Sequence, residues 1–142
     1  MRFVLDCSVA ISWCLQDEDS TYANAVLTLL SSQNQVVIPS IWWLEITNVL
    51  LVAERRQRST SIQSDQAIRM LQSLPILIDT TSMQETLGSI LTFGRDYNLA
   101  TYDAAYLELA MREKLLLATL DQKLATVAHN LGILLGDFSN GR

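Results

Sequence analysis

The sequence predicts an α/β protein built around a mostly parallel sheet, and three observations carry that prediction. Short apolar runs alternate along the 142-residue chain with longer amphipathic stretches. The first of these runs, Phe3-Val4-Leu5, is apolar at every position, as suits a strand buried on both faces. Serine, threonine, proline and glycine stand at the boundaries between the two kinds of segment.

Taken in order, residues 3–5 form the first strand and residues 8–15 a short helix. The acidic stretch Gln16-Asp17-Glu18-Asp19-Ser20 is a loop that leads into a second helix over 21–31. Residues 35–38 form a second strand, stopped by Pro39. Ser40 is placed to cap a long helix over 41–58, in which Trp42, Ile46, Val49, Leu50 and Ala53 keep a helical rhythm. A helix over 61–73 follows, and Pro75 introduces a strand at 76–78 that ends at Asp79. Two helices, 83–97 and 101–113, are separated by a turn near Asn98. A strand over 115–118, a helix over 122–130 and, after Gly132, a last short strand at 133–135 complete the chain. No internal repeat, low-complexity segment or linker interrupts it, so a single domain over 1–142 is expected.

Composition narrows the chemistry. With 49% hydrophobic and 18% charged residues, the chain can bury a core and is not a disordered tail. No apolar run approaches the roughly 18 to 20 residues that cross a bilayer. Asp6 breaks the N-terminal apolar stretch before it resembles a signal peptide, so a cytoplasmic protein is expected. Cys7 and Cys14 are the only cysteines, which excludes a disulfide framework. They read as small buried hydrophobes, and residues 9–13 supply no arginine for a phosphatase-type nucleophile. His129 is the single histidine, far from both thiols, so zinc spacings are missing and it reads as a helix surface residue. Fifteen acids against ten bases give a net charge of −5, which argues against nucleic-acid binding by general attraction. Any RNA role then rests on a local patch and on metal ions.

Four acids occupy special places. Ligands of open parallel sheets bind beyond the carboxyl ends of the strands. Asp6 directly follows the first strand, and Asp121 follows the strand over 115–118 after Thr119 and Leu120. Asp103 lies in the first turn of one helix and Glu45 about one turn into another. Each has a structural explanation: Asp6 and Asp121 as helix caps, Asp103 as a complement to a helix dipole. Glu45 resists one, because a carboxylate among Trp42, Trp43, Leu44 and Ile46 is costly unless paired or metal-bound. Together they form one device. Converging carboxylates repel until a hard divalent cation relieves them, and such an ion activates water against a phosphate. Phosphodiester hydrolysis is the reaction this set suits.

Four segments then carry a family likeness: Phe3-Val4-Leu5-Asp6-Cys7-Ser8-Val9, residues 39–48 around Glu45, Thr101-Tyr102-Asp103-Ala104-Ala105-Tyr106, and Ala118-Thr119-Leu120-Asp121-Gln122-Lys123-Leu124. In order and spacing they resemble the PIN-domain ribonucleases, above all the VapC-type toxins of toxin–antitoxin pairs. The resemblance implies a three-layer α/β/α sandwich and an acidic quartet of Asp6, Glu45, Asp103 and Asp121. It implies Mg2+ or Mn2+ held by Asp6 and Asp121, with Asp103 direct or through water and Glu45 as ligand or general base. Thr119 matches a hydroxyl position that orients a carboxylate or water, and Ser8 and Asn48 are further candidates for that support. Also implied are endonucleolytic cleavage of RNA (tRNA, rRNA or mRNA), a homodimer and a neutralising antitoxin partner.

Other residues have both a functional and a structural reading. Arg55, Arg56 and Arg58 offer to steer RNA phosphates or simply complement a helix end. Lys123 is a further phosphate contact. Trp42 and Trp43 offer to stack on bases, or to fill the core or a dimer interface. The helices from Thr21 and Ser61 present apolar faces to a partner helix or to the core. Two alternatives compete with the nuclease: a PIN-like module that only binds RNA or its partner, and a receiver-like phosphoacceptor domain using Asp79. The receiver would need an acidic pair after the first strand and a lysine after a late one. Here Cys7 and Ser8 follow Asp6, and the last strand leads to Gly136-Asp137.

Overall fold

The computed structural model describes residues 1–136; residues 137–142, Asp137 included, lie outside the described residues. Four strands, β1 (Arg2–Leu5), β2 (Gln35–Pro39), β3 (Ile76–Asp79) and β4 (Leu116–Ala118), form one sheet in the order β3-β2-β1-β4. Every pairing is parallel. The register sets Val4 between Val37 and Leu117, so apolar side chains meet across three strands. Successive strand residues point to opposite faces. Phe3, Val4 and Leu5 are all fully buried, so both faces of the sheet are covered. This is the α/β/α sandwich.

The covering helices are α1 (Cys7–Cys14), α2 (Thr21–Leu30), α3 (Trp42–Arg55), α4 (Ser61–Gln72), a composite α5, α6 (Thr101–Glu113) and α7 (Gln122–Asn130). The composite α5 joins Met83–Glu85, a π-helical stretch Thr86–Ile90 and Leu91–Tyr97. Local chemistry sets several of the boundaries. Ser20 caps α2 by accepting the Ala23 N–H at 3.2 Å, and Thr60 with Gln63 closes a capping box on α4. Asn98, in the left-handed region at φ 54°, ends α5 and makes the expected turn.

Three sequence expectations are corrected. Ser40 does not cap α3; Ile41 takes the cap position in helical geometry with no side-chain bond, and the helix spans Trp42–Arg55 rather than 41–58. The loop after α1 contains a 3₁₀ turn, Gln16–Glu18. The strand expected at 133–135 shrinks to one parallel bridge, Leu134 opposite Leu117. Leu117 N–H donates to Ile133 at 2.7 Å and Leu135 N–H to Leu117 at 2.9 Å, too little contact to extend a ladder.

The chain path positions the site. From β1 it steps to β2 and β3 on one side, then α5 and α6 return it to β4 on the other side of β1. The order therefore reverses between β1 and β4, and the crevice at their carboxyl ends is where such a sheet binds ligands. β3 is instead an edge, with Leu77 40% and Ile78 56% exposed. Its Asp79 accepts two bonds from Arg112, at 2.7 and 3.3 Å, so it is neither free nor at the reversal, as a phosphoacceptor would be.

Candidate active site

Asp6 is fixed from three directions. Its N–H donates to the Ala118 carbonyl at 2.9 Å, so the β1–β4 ladder runs one residue past the end of β1. Its carboxylate makes no cap bond to α1, which removes the capping explanation. Instead Oδ2 accepts the hydroxyls of Ser8 and Thr119, each at 2.7 Å. The same two oxygens accept from the loop after β4: Thr119 Oγ1 from the Asp121 N–H at 3.1 Å, and Ser8 Oγ from the Leu120 N–H at 2.9 Å. Each hydroxyl therefore ties the first acid to the loop that carries the last. Asp6 and Thr119 are both 4% exposed.

Asp121 does cap α7, its Oδ1 accepting the Leu124 N–H at 2.8 Å. A cap occupies one carboxylate oxygen and leaves the other for a ligand. Here the structural and functional readings coexist. Glu45 sits in the first turn of α3, where its Oε1 accepts the Tyr106 hydroxyl at 2.6 Å. Tyr106 is fully buried and lies three residues after Asp103 in α6, so one helix supplies both an acid and the clamp on Glu45. Sequence reasoning missed Tyr106. Its spacing from Asp103 was visible, but which distant carboxylate it would meet was not.

The charges of the acids act on one another. Burial is the main cause raising the Asp6 carboxyl above its ordinary range; the Ser8 and Thr119 bonds oppose it and the Asp121 charge adds to it. Burial likewise raises Glu45, against the Tyr106 bond and with the charges of Asp6 and Asp103. Asp103 is pushed up from 3.8 to about 6, first by burial and then by Asp121 and Asp6, while Lys123 pulls it down. Cys7, beside Glu45 and Tyr106, is held as a neutral thiol, its acidity suppressed by burial and then by Asp6 and Glu45. The donors left at the site are hard oxygens.

A pH dependence follows. Carboxyl groups whose folded pKa is raised bind protons more tightly in the folded chain. They favour folding below their ordinary pKa, and that contribution is lost as pH rises through the folded value. Without metal, the Tm should therefore fall as pH rises from about 4 to about 6, the Asp103 window. Asp103→Asn should flatten that fall. Thermal melts in chelator across this range check it, and a metal-free Tm that rises across the window in step with the variant would refute it.

The donor set suits Mg2+ or Mn2+. Among the described residues, no group of three or more His, Cys, Asp or Glu side chains stands as a ready-made metal cage. A hard ion that keeps several of its waters needs only one or two direct carboxylates, so open placement is compatible with it.

The remaining candidates are dispersed. Asn48 is exposed and lines a groove beside Glu45. Arg55 and Arg56 are exposed, about 15 Å along α3 from Glu45 at 1.5 Å per residue. Arg58 is occupied by Asp17 at 2.9 and 3.0 Å and by Glu18 at 3.1 Å. Lys123 is exposed and within electrostatic reach of Asp103. Trp42 is fully buried, packed edge-on against Trp43 at 4.8 Å, so it fills the core and is not free to stack on a base. His129 is exposed in the last turn of α7, as the sequence predicts.

Comparison with known proteins agrees with this fold. The PIN domain matches residues 3–130. Among solved structures, a toxin–antitoxin complex from Klebsiella pneumoniae superposes with a TM-score of 0.64 at 20% identity, covering 96% of this chain and 98% of that one. VapBC2 from Rickettsia felis, solved bound to a DNA fragment from the pair's own promoter, gives a TM-score of 0.65 at 17% identity, covering 95% and 96%. No curated protein matches the sequence.

Proposed function

The chain belongs to the PIN-domain family, a family typically of nucleases, and from that premise we propose that it is a Mg2+- or Mn2+-dependent endoribonuclease serving as the toxin of a toxin–antitoxin pair. One observation carries the reading. At the point where strand order reverses, two hydroxyls bind the carboxylate of Asp6 to the loop bearing Asp121, and charges on Asp103 and Glu45 act on the same crevice.

Asp6, Asp103 and Asp121 would hold the cation. When bound, such an ion neutralises the carboxylates, polarises a phosphodiester and acidifies water. Ser8 and Thr119 keep Asp6 in one orientation, so little rearrangement precedes binding. Glu45, its Oε1 held by Tyr106, would serve as a further ligand or take the proton of the attacking water. Lys123 offers a cation to a substrate phosphate, and Arg55 and Arg56 serve at most the approach of a long RNA. A binding-only module would have no need of acids whose charges raise the carboxyl groups of Asp6, Glu45 and Asp103 beyond what burial does.

An antitoxin partner is supported by the kind of assembly in which both similar structures were solved. A homodimer is supported by exposed apolar surface: Leu77 and Ile78 on the edge strand, and Met83, Leu87 and Leu91 at four-residue spacing along α5. Among the described residues no helix is long and apolar enough to cross a membrane.

The direct test is incubation of purified protein with labelled tRNA, rRNA and mRNA. Fragments should form with Mg2+ or Mn2+, vanish with chelator and return when metal is restored. Cleavage that persists in chelator, or none with either metal, contradicts the proposal.

A further inference from the structure

A groove of about 400 Å³ opens beside the acids, between α3 and the first turn of α6. Ile41, Leu44 and Val49 form apolar walls, and Cys7, Glu45, Asn48 and Tyr102 complete the lining. Tyr102 is 58% exposed although it is aromatic, and it directly precedes Asp103. None of these seven residues is basic. A backbone phosphate lying here would meet Glu45 with nothing to offset the repulsion, whereas a neutral heterocycle would not. An exposed ring, an amide that can donate and accept, and apolar walls are the parts that bind an unstacked base.

We propose that this groove is a nucleobase subsite, taking one unpaired base of the RNA next to the cleaved phosphate, with Tyr102 stacked on its face and Asn48 bonded to its edge. The proposal rests on the nuclease reading above and adds to it the residues that take the base at the cut. The groove shares Glu45 with the acidic site and reaches Cys7, which directly follows Asp6, so a base seated in it would lie beside that site. Asn48 then acts on the substrate rather than as a support for the carboxylates. Stacking is tolerant of base identity, so Tyr102 sets affinity and Asn48 sets preference.

Binding measured without cleavage tests this. In the Asp103→Asn protein with Mn2+ present, fluorescence anisotropy is read for labelled single-stranded RNA pentamers, with an abasic ribose walked through the positions. One position should weaken binding about fivefold or more when its base is missing. Adding Tyr102→Ala should erase that difference, and Tyr102→Phe should keep it because the ring remains. Adding Asn48→Ala should level the affinities of pentamers that differ only in that base. Binding that ignores the abasic position, a difference that survives Tyr102→Ala, or no binding of any pentamer would overturn the subsite. Cleavage by the unsubstituted protein, read in parallel, separates the two claims. Base-blind binding with metal-dependent cleavage overturns the subsite alone. Base-dependent, Tyr102-dependent binding without cleavage supports the subsite while overturning the nuclease reading.

Discussion

Asp6→Asn or Asp103→Asn should lower the proposed RNA cleavage by about 10³-fold or more, while the protein keeps its fold. The size reflects the several kcal/mol that a correctly held cation contributes to the transition state. In the Asp6→Asn protein the new amide can turn its oxygen to the Ser8 and Thr119 hydroxyls that Asp6 Oδ2 now receives at 2.7 Å. Its NH2 group would then stand where a carboxylate oxygen would bind the cation, and an amide N–H cannot serve as a ligand. Folding has no reason to suffer, because each change removes a charge that burial disfavours. The metal-free Tm near pH 7 should stay level or rise. Single-turnover cleavage and thermal melts on the same preparations check both halves. Undiminished cleavage by either variant removes that residue from the site, and lost cleavage with lost folding says nothing in favour of a metal ligand.

Arg112→Ala should cost about 3 kcal/mol of stability, from a residue with no part in the chemistry. Arg112 bonds Asp79 at 2.7 Å, Glu108 at 2.7 Å and Glu113 at 3.2 Å, and lies 3.7 Å from Glu85. It therefore joins β3, α5 and α6. Glu108 is only 3% exposed, so without the guanidinium its carboxylate is buried and unpaired. Removing one partner of a buried pair costs about 3–5 kcal/mol, and the partial exposure of Arg112 sets the lower figure. For a chain of this length that is a Tm lower by roughly 9 °C. Glu108→Gln in the same protein should recover part of it by removing the stranded charge. A loss under about 1 kcal/mol would mean that Arg112 acts as an ordinary surface ion pair.

What the sequence made legible were features written locally. Phe3-Val4-Leu5 followed by Asp6 states both a buried strand and a charge at its carboxyl end, and the structure has both. Serine and threonine before α2 and α4 announce caps that form. Ser40 shows the limit of that rule: residue type marks a possible cap, but after Pro39 the chain enters helical geometry at Ile41 without one. Contacts across long stretches of chain were not legible. No pattern in the sequence says that Tyr106 will reach Glu45, or that Arg58 will fold back on Asp17. The last strand failed for a related reason. An apolar triplet such as Ile133-Leu134-Leu135 has the composition of a strand, but the edge of β4 gives it one bridge and no more. At the site, Asp121 teaches that a cap and a candidate ligand are not exclusive, whereas Asp6 had to be seen to be known as something other than a cap.

Asp6 after β1, Asp103 at the start of α6 and Asp121 in the loop after β4 should together hold a divalent cation. Anomalous diffraction from crystals soaked in Mn2+ addresses it without reference to activity. A peak in the crevice between the ends of β1 and β4, within coordination distance of Asp6 and of Asp103 or Asp121, is the expected result. A map with no peak there at saturating Mn2+, or with its only peak beside Asp79 and Glu85, would contradict the account.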